Sequence, residues 1–131
     1  MDENFKHTAL TNKIIKCFYT VYNHLGFGFL EKVYEKALLI ELRKEGLSAS
    51  RQTQLKVFYN QIEVGDYFAD IVVENEVIIE VKAAEGLIEI HEAQLTNYLK
   101  ATNIEVGLLL NFGKTQQFKR KVFSNKYKKH L

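Results

Sequence analysis

Charged side chains stand where a buried strand would ordinarily have none. Val77, Ile78, Ile79 and Val81 form a strand-like apolar run, yet Glu80 interrupts it and Lys82 ends it. An ionised side chain in such a run needs a partner or a purpose. Side chains alternate across a strand, so Ile78, Glu80 and Lys82 share one face. The preceding β-rich run carries Asp70 on the same face as Phe68 and Val72. Glu74, Asn75 and Glu76 separate the two runs, which is a hairpin signal. A three-residue loop sets Val73 against Val77 and brings Asp70 opposite Glu80. A two-residue loop sets Asp70 against Val81 and turns the carboxylates to opposite faces. The longer loop needs one left-handed residue, which Asn75 tolerates. In that register the carboxylates lie about 5 Å apart.

Two like charges opposed in a half-buried sheet either share a proton or share a cation. Oxygen-only ligands suit a hard ion, so magnesium or manganese is the expected cofactor. Lys82, two residues beyond Glu80, can neutralise a phosphate, orient water or stabilise developing charge. Together these parts suffice for hydrolysis of a phosphodiester bond. A strand-edge Glu-x-Lys and a surface aspartate also arise by chance; their place in an aliphatic run gives the pattern its weight.

The elements that must hold these residues follow from hydrophobic periodicity. Leu10, Ile14, Cys17, Val21 and Leu25 recur at helical spacing, with Phe18 and Tyr22 widening the stripe. Gly26 suits the end of that helix. A second helix carries Leu30, Val33, Tyr34, Ala37, Leu38 and Leu42, with Glu31 in its first turn and Gly46 closing it. The period then changes to strands over residues 54–59, 67–73 and 77–82. A third helix covers residues 90–101. Residues 104–110 are nearly all aliphatic, the mark of a central strand. Residues 118–123 read equally as a short edge strand or a helix. The order α-α-β-β-β-α-β predicts an α/β arrangement, a central mixed sheet flanked by helices, in one domain over residues 1–131.

Composition narrows the function classes. The chain is 47% hydrophobic and 26% charged, the balance of a globular protein. Its lone Cys17 excludes an internal disulfide and fits a small core side chain in a reducing compartment. No run approaches the roughly 20 apolar residues of a membrane span. The opening residues lack a signal-peptide layout, and a cytoplasmic location is expected. His7, His24, His91 and His130 show no metal-ligand spacing, which excludes a zinc site. No Walker-type glycine loop or serine–histidine–acid set is present. His91 is read as a surface histidine or one approaching the acids.

Charge is uneven along the chain. From Phe112 onward there are seven basic residues and no acidic ones, while the rest carries eleven basic against sixteen acidic. Such a basic end either meets a polyanion or serves as a solvated tail. Lys114, Lys119, Arg120 and Lys121 are the nucleic-acid-binding candidates. Phe118, Phe123 and Tyr127 interleave with the basic residues and either stack on bases or close the core.

The order of Asp70, nine intervening residues, then Glu80-Val81-Lys82 resembles the PD-(D/E)XK nuclease superfamily. Ala69 stands where the motif's proline would be. Over nearly the whole length the chain is similar to the GxxExxY proteins, on Gly28, Glu31 and Tyr34. The resemblance implies a restriction-endonuclease-like core and a nuclease acting on nucleic acid, with DNA favoured over RNA. It implies that Glu31 reaches the site as a further metal ligand or water-orienting group beside Asp70 and Glu80. It also carries a site role onto Gln94, which otherwise reads as a solvated helix glutamine. Tyr34 and Tyr98 are expected to pack, with Tyr98 near the site. By analogy, a homodimer is one arrangement the resemblance allows.

Overall fold

The computed structural model describes residues 6–129. Two helices open the chain, α1 (Thr8–Leu25) and α2 (Glu31–Lys44). A long hairpin, β1 (Ala49–Tyr59) and β2 (Ile62–Val73), leads into β3 (Val77–Lys82). Helix α3 (Glu89–Ala101) then connects to β4 (Val106–Phe112) and β5 (Gln116–Val122). The five strands form one mixed sheet in chain order; β3 and β4 are parallel and every other neighbouring pair is antiparallel. The chain therefore has the restriction-endonuclease-like α+β architecture, with helices on both faces of a mixed sheet. Among the described residues no helix is long and apolar enough to cross a membrane.

Alternation along the central strands divides the core in two. Ile79, Val81, Leu108 and Leu110 meet Phe18, Tyr34, Leu38 and Leu42 of α1 and α2. Ile78 and Leu109 face the other way, onto Leu95 and Leu99 of α3. Helix α3 docks at Gly107, where a Cβ would stand 2.7 Å from a Leu95 methyl. Cys17 lies in the first core, and burial pushes its thiol up to about 11, as suits an inert packing group.

The hairpin register is the one that brings the acids together: Val73 pairs with Val77 and Ile71 with Ile79. The loop differs in detail, because both Glu74 and Asn75 take left-handed φ near 54° rather than Asn75 alone. Strands β1 and β2 begin at Ala49 and Ile62, earlier than residues 54 and 67. Those extra residues are mostly polar and exposed, so hydrophobic alternation does not mark them; mutual backbone pairing makes the strand. Strand β4 reaches Phe112, wholly buried along its length, and takes in Asn111. The undecided segment is strand β5, which supplies the backbone partners that β4 needs on its outer side.

Candidate active site

Beyond Ile71 and Ile79 the backbone ladder of β2 and β3 stops, and two carboxylates fill the gap. The Asp70 amide donates to Glu80 Oε2 at 2.9 Å, and the Val81 amide donates to Asp70 Oδ2 at 2.7 Å. Each acid thus bonds to the other's strand, which holds both in one small volume. The bonds favour the ionised forms, but burial opposes them and wins. Glu80, 7% exposed, is pushed up to about 8, first by burial and then by the Asp70 charge. Asp70 is raised as well, chiefly by burial, with the Val81 amide and Lys82 pulling the other way.

Lys82 ends β3 beside these acids, half-buried, and its charge favours the ionised form of both. The chain just beyond it is clamped. Asn111, paired with Lys82 across β3 and β4, accepts from the Ala84 amide at 2.9 Å and donates to the Ala84 carbonyl at 3.0 Å. Gly113 completes the clamp, since a Cβ there would stand 2.1 Å from the Ala84 carbonyl oxygen.

The helix acid that couples to this pair is Glu35, which the sequence reading did not single out. It lies on α2 among Tyr34, Leu38 and Leu42, 4% exposed, and it feels the Asp70 charge while Glu80 feels its own. Burial raises its carboxyl. Glu35 Oε1 accepts from Gln52 Nε2 at 2.9 Å and lies 3.0 Å from Arg51 Nε, close enough for attraction though not aligned as a hydrogen bond. Gln52 also stabilises ionised Asp70 through its side chain. Its backbone φ of 51° is left-handed inside a strand, a strained conformation for a residue with a side chain, and the β1–β2 register steps over it. Spacing could have flagged Glu35, an acid three residues before Leu38 and seven before Leu42. No local signal marks Gln52.

The other candidates are distributed as follows. Glu31 is exposed in the first turn of α2, and Gln94 is exposed on α3; neither is among the groups whose charges or bonds act on Asp70 and Glu80. Gly28 has φ of 110°, which only glycine adopts readily. The Tyr34 hydroxyl donates to the Gly26 carbonyl at 2.6 Å and accepts from the Phe29 amide, while its ring stacks on Phe112 at 4.4 Å. Gly28 and Tyr34 thereby shape the turn that launches α2. Tyr98 senses both Glu80 and Asp70, which raise its hydroxyl after burial does. His91 caps α3 by accepting from the Ile88 amide.

The basic candidates split by strand alternation. Lys114 and Lys119 are exposed, Lys121 pairs with Glu92 at 2.6 Å, and Arg120 lies on the opposite face, donating to the Lys6 carbonyl.

The donor set suits a hard divalent ion: two adjacent carboxylates, Glu80 buried and Asp70 half-buried, each with only one oxygen bonded to a backbone amide. Among the described residues no three acids, histidines or cysteines are gathered around one point. Glu35, the third acid at hand, is turned into Arg51 and Gln52.

The chain is similar to the crystal structure of SSO0001, with a TM-score of 0.53 and 17% identity, over 71% of this chain. It spans about half the length of that protein, 50%. That likeness concerns the fold. No curated protein matches the sequence. A family model described as the PD-(D/E)XK nuclease superfamily matches residues 8–122, from α1 through β5. With its acid pair and lysine set at the mixed sheet's parting strands, the chain belongs to the PD-(D/E)XK nuclease superfamily.

Proposed function

We propose that the protein is a magnesium- or manganese-dependent nuclease that hydrolyses phosphodiester bonds, DNA before RNA, at Asp70, Glu80 and Lys82. The observation that carries this is the reciprocal bonding of Asp70 and Glu80 across the gap between β2 and β3, with Lys82 beside them. A divalent ion held by Asp70 and Glu80 would supply positive charge that acidifies water and polarises a phosphoryl oxygen. The two carboxylates would hold that charge at one point of the sheet, and the backbone bonds keep them from swinging away. The Lys82 ammonium binds the scissile phosphate and steadies negative charge as it develops. Glu31, exposed at the start of α2, and Gln94, exposed on α3, orient substrate or water from outside. Glu35 offers a third carboxylate if it exchanges Arg51 for the ion.

Within the superfamily we place the chain in the GxxExxY group, on Gly28, Glu31 and Tyr34, as one cytoplasmic domain over residues 1–131 that pairs as a homodimer. A second reading is a nucleic-acid-binding module without turnover, or a subunit that needs a partner. The engagement of Glu35 with Arg51 and Gln52 favours it, because the third acid is withheld.

The test is cleavage of DNA and RNA by purified protein with magnesium or manganese. Asp70→Ala and Lys82→Ala should each lower the rate about 100-fold or more while circular dichroism stays unchanged. Equal cutting by wild type and both variants would remove these residues from the mechanism. Salt-sensitive binding with no turnover would select the second reading.

A further inference from the structure

The β1–β2 hairpin runs past the point where β2 leaves β3, and its far half covers α3 instead. Leu55 and Tyr67 join Leu95, Leu99 and Tyr98 in the second core. Between the hairpin tip, the C-terminal half of α3 and the residues after β5 lies an open cleft of about 1500 Å³. That is larger than the 300–1,000 Å³ or so of an ordinary small-molecule pocket. Aromatic rings and lysines dominate its lining, and no lining residue is acidic. This holds although the chain outside its last twenty residues is net acidic.

The inner wall of the cleft is the stacked pair Tyr67 and Tyr98, with ring centroids 4.1 Å apart. Ile78, on the Glu80 face of β3, lies in the same second core, and the Glu80 charge acts on both tyrosine hydroxyls, so this wall adjoins the acid pair. The Tyr67 hydroxyl is buried and has no hydrogen-bond partner among the described residues, which leaves a donor unsatisfied there. At the rim, Tyr59 is 69% and Tyr127 62% exposed, large rings on either side, with the Lys126 ammonium 5.1 Å from the Tyr127 ring. Tyr127 is placed there by Lys128, whose ammonium donates to the Thr102 and Ile104 carbonyls at 2.8 and 2.7 Å and ties the C-terminal residues beneath α3. Lys100 lies 5.5 Å from the Phe123 ring, a cation over an aromatic face on the same wall.

We infer that this cleft binds an unpaired polynucleotide strand, stacking its bases on Tyr59 and Tyr127 and pairing its phosphates with Lys100 and Lys129, and leads it to Asp70 and Glu80. The inference rests on the proposed nuclease function for its direction, toward the acids, but not for the binding itself. Aromatic faces accept bases only when those bases are unstacked, and lysines supply phosphate neutralisation without sequence preference. A duplex keeps its bases paired and would leave the exposed rings unused.

The experiment is fluorescence anisotropy with the full chain in EDTA, where no turnover occurs, using labelled oligo-dT, oligo-U and a duplex of equal length. The unpaired strands should bind at least about tenfold more tightly than the duplex. Tyr127→Ala and, separately, Tyr59→Ala should each weaken strand binding by about tenfold. Lys16→Gln, on α1 away from the cleft, is the control and should leave binding unchanged. Both tyrosines are exposed, so their loss should spare the fold, with melting temperature as the check. Tighter binding of the duplex, or strand binding indifferent to both tyrosines, would overturn the inference. Cleavage assays run in parallel separate the two readings. Binding that depends on the cleft without any metal-dependent cutting keeps the cleft and ends the nuclease; cutting that ignores the cleft residues does the reverse.

Discussion

Glu80 is the side chain whose environment is least compatible with its charge. Its carboxyl is pushed up from 4.5 to about 8 by burial and by Asp70. The folded value lies above the unfolded one, so the folded chain holds this proton longer. The stability linked to it is complete below the unfolded value and is lost as pH rises through the folded one. A divalent ion between Asp70 and Glu80 would replace the proton at high pH. In EDTA, wild type should therefore lose more melting temperature than Glu80→Gln between about pH 5 and about pH 9. Magnesium should restore the loss near pH 9 and do little near pH 5, because it binds only the ionised pair. A melting temperature insensitive to magnesium at both pH values would argue against an ion at this pair. Gln52 belongs to the same account: with a strained φ of 51°, its side chain bonds Glu35 and favours ionised Asp70, one buried and one half-buried acid that repel each other.

The secondary elements act on the site through their ends. Strand β3 ends at Lys82, and the peptide that follows is held by Asn111 from β4 and by the tight approach of Gly113. Gly113→Ala puts a methyl group into the Ala84 carbonyl, so the end of β3 must move. The expected cost is about 1–3 kcal/mol in urea unfolding, together with a loss of cleavage greater than the loss of folded protein. A change in stability with full activity would mean that this clamp does not position Lys82. Helix α2 is set in a similar way, by Gly28 in a left-handed turn and by Tyr34 bonded to both sides of it.

Across the molecule, charge is separated in a manner that suits a polyanion. The acid pair lies at the parting of β2 and β3, while lysines line the hairpin–α3 cleft and Lys114 and Lys119 are exposed before and on β5. Binding of nucleic acid in EDTA should fall steeply with salt. For about four phosphate contacts to a single strand, a fourfold rise in salt should weaken it by roughly 50-fold. A flat salt dependence would show that the lysines do not contact phosphate.

Much of this is legible in the sequence itself. The period-two alternation of β3 and the three residues between it and β2 determined that Asp70 and Glu80 oppose each other, because hairpin register is a local property of loop length and pleat. The helical stripes of α1 and α2, the buried run of β4 and the order of elements were local for the same reason. The polar halves of β1 and β2 were not, since backbone pairing alone made them strands. Helical spacing sets Glu35 on the apolar stripe of α2, but its coupling to Asp70 was not legible, nor were Gln52 and Asn111. Those roles depend on which elements pack together and on one strained backbone angle, and neither is encoded in the spacing of neighbouring residues. The cleft depends on residues from β1, β2, α3 and the chain after β5, which only the folded arrangement brings around one space.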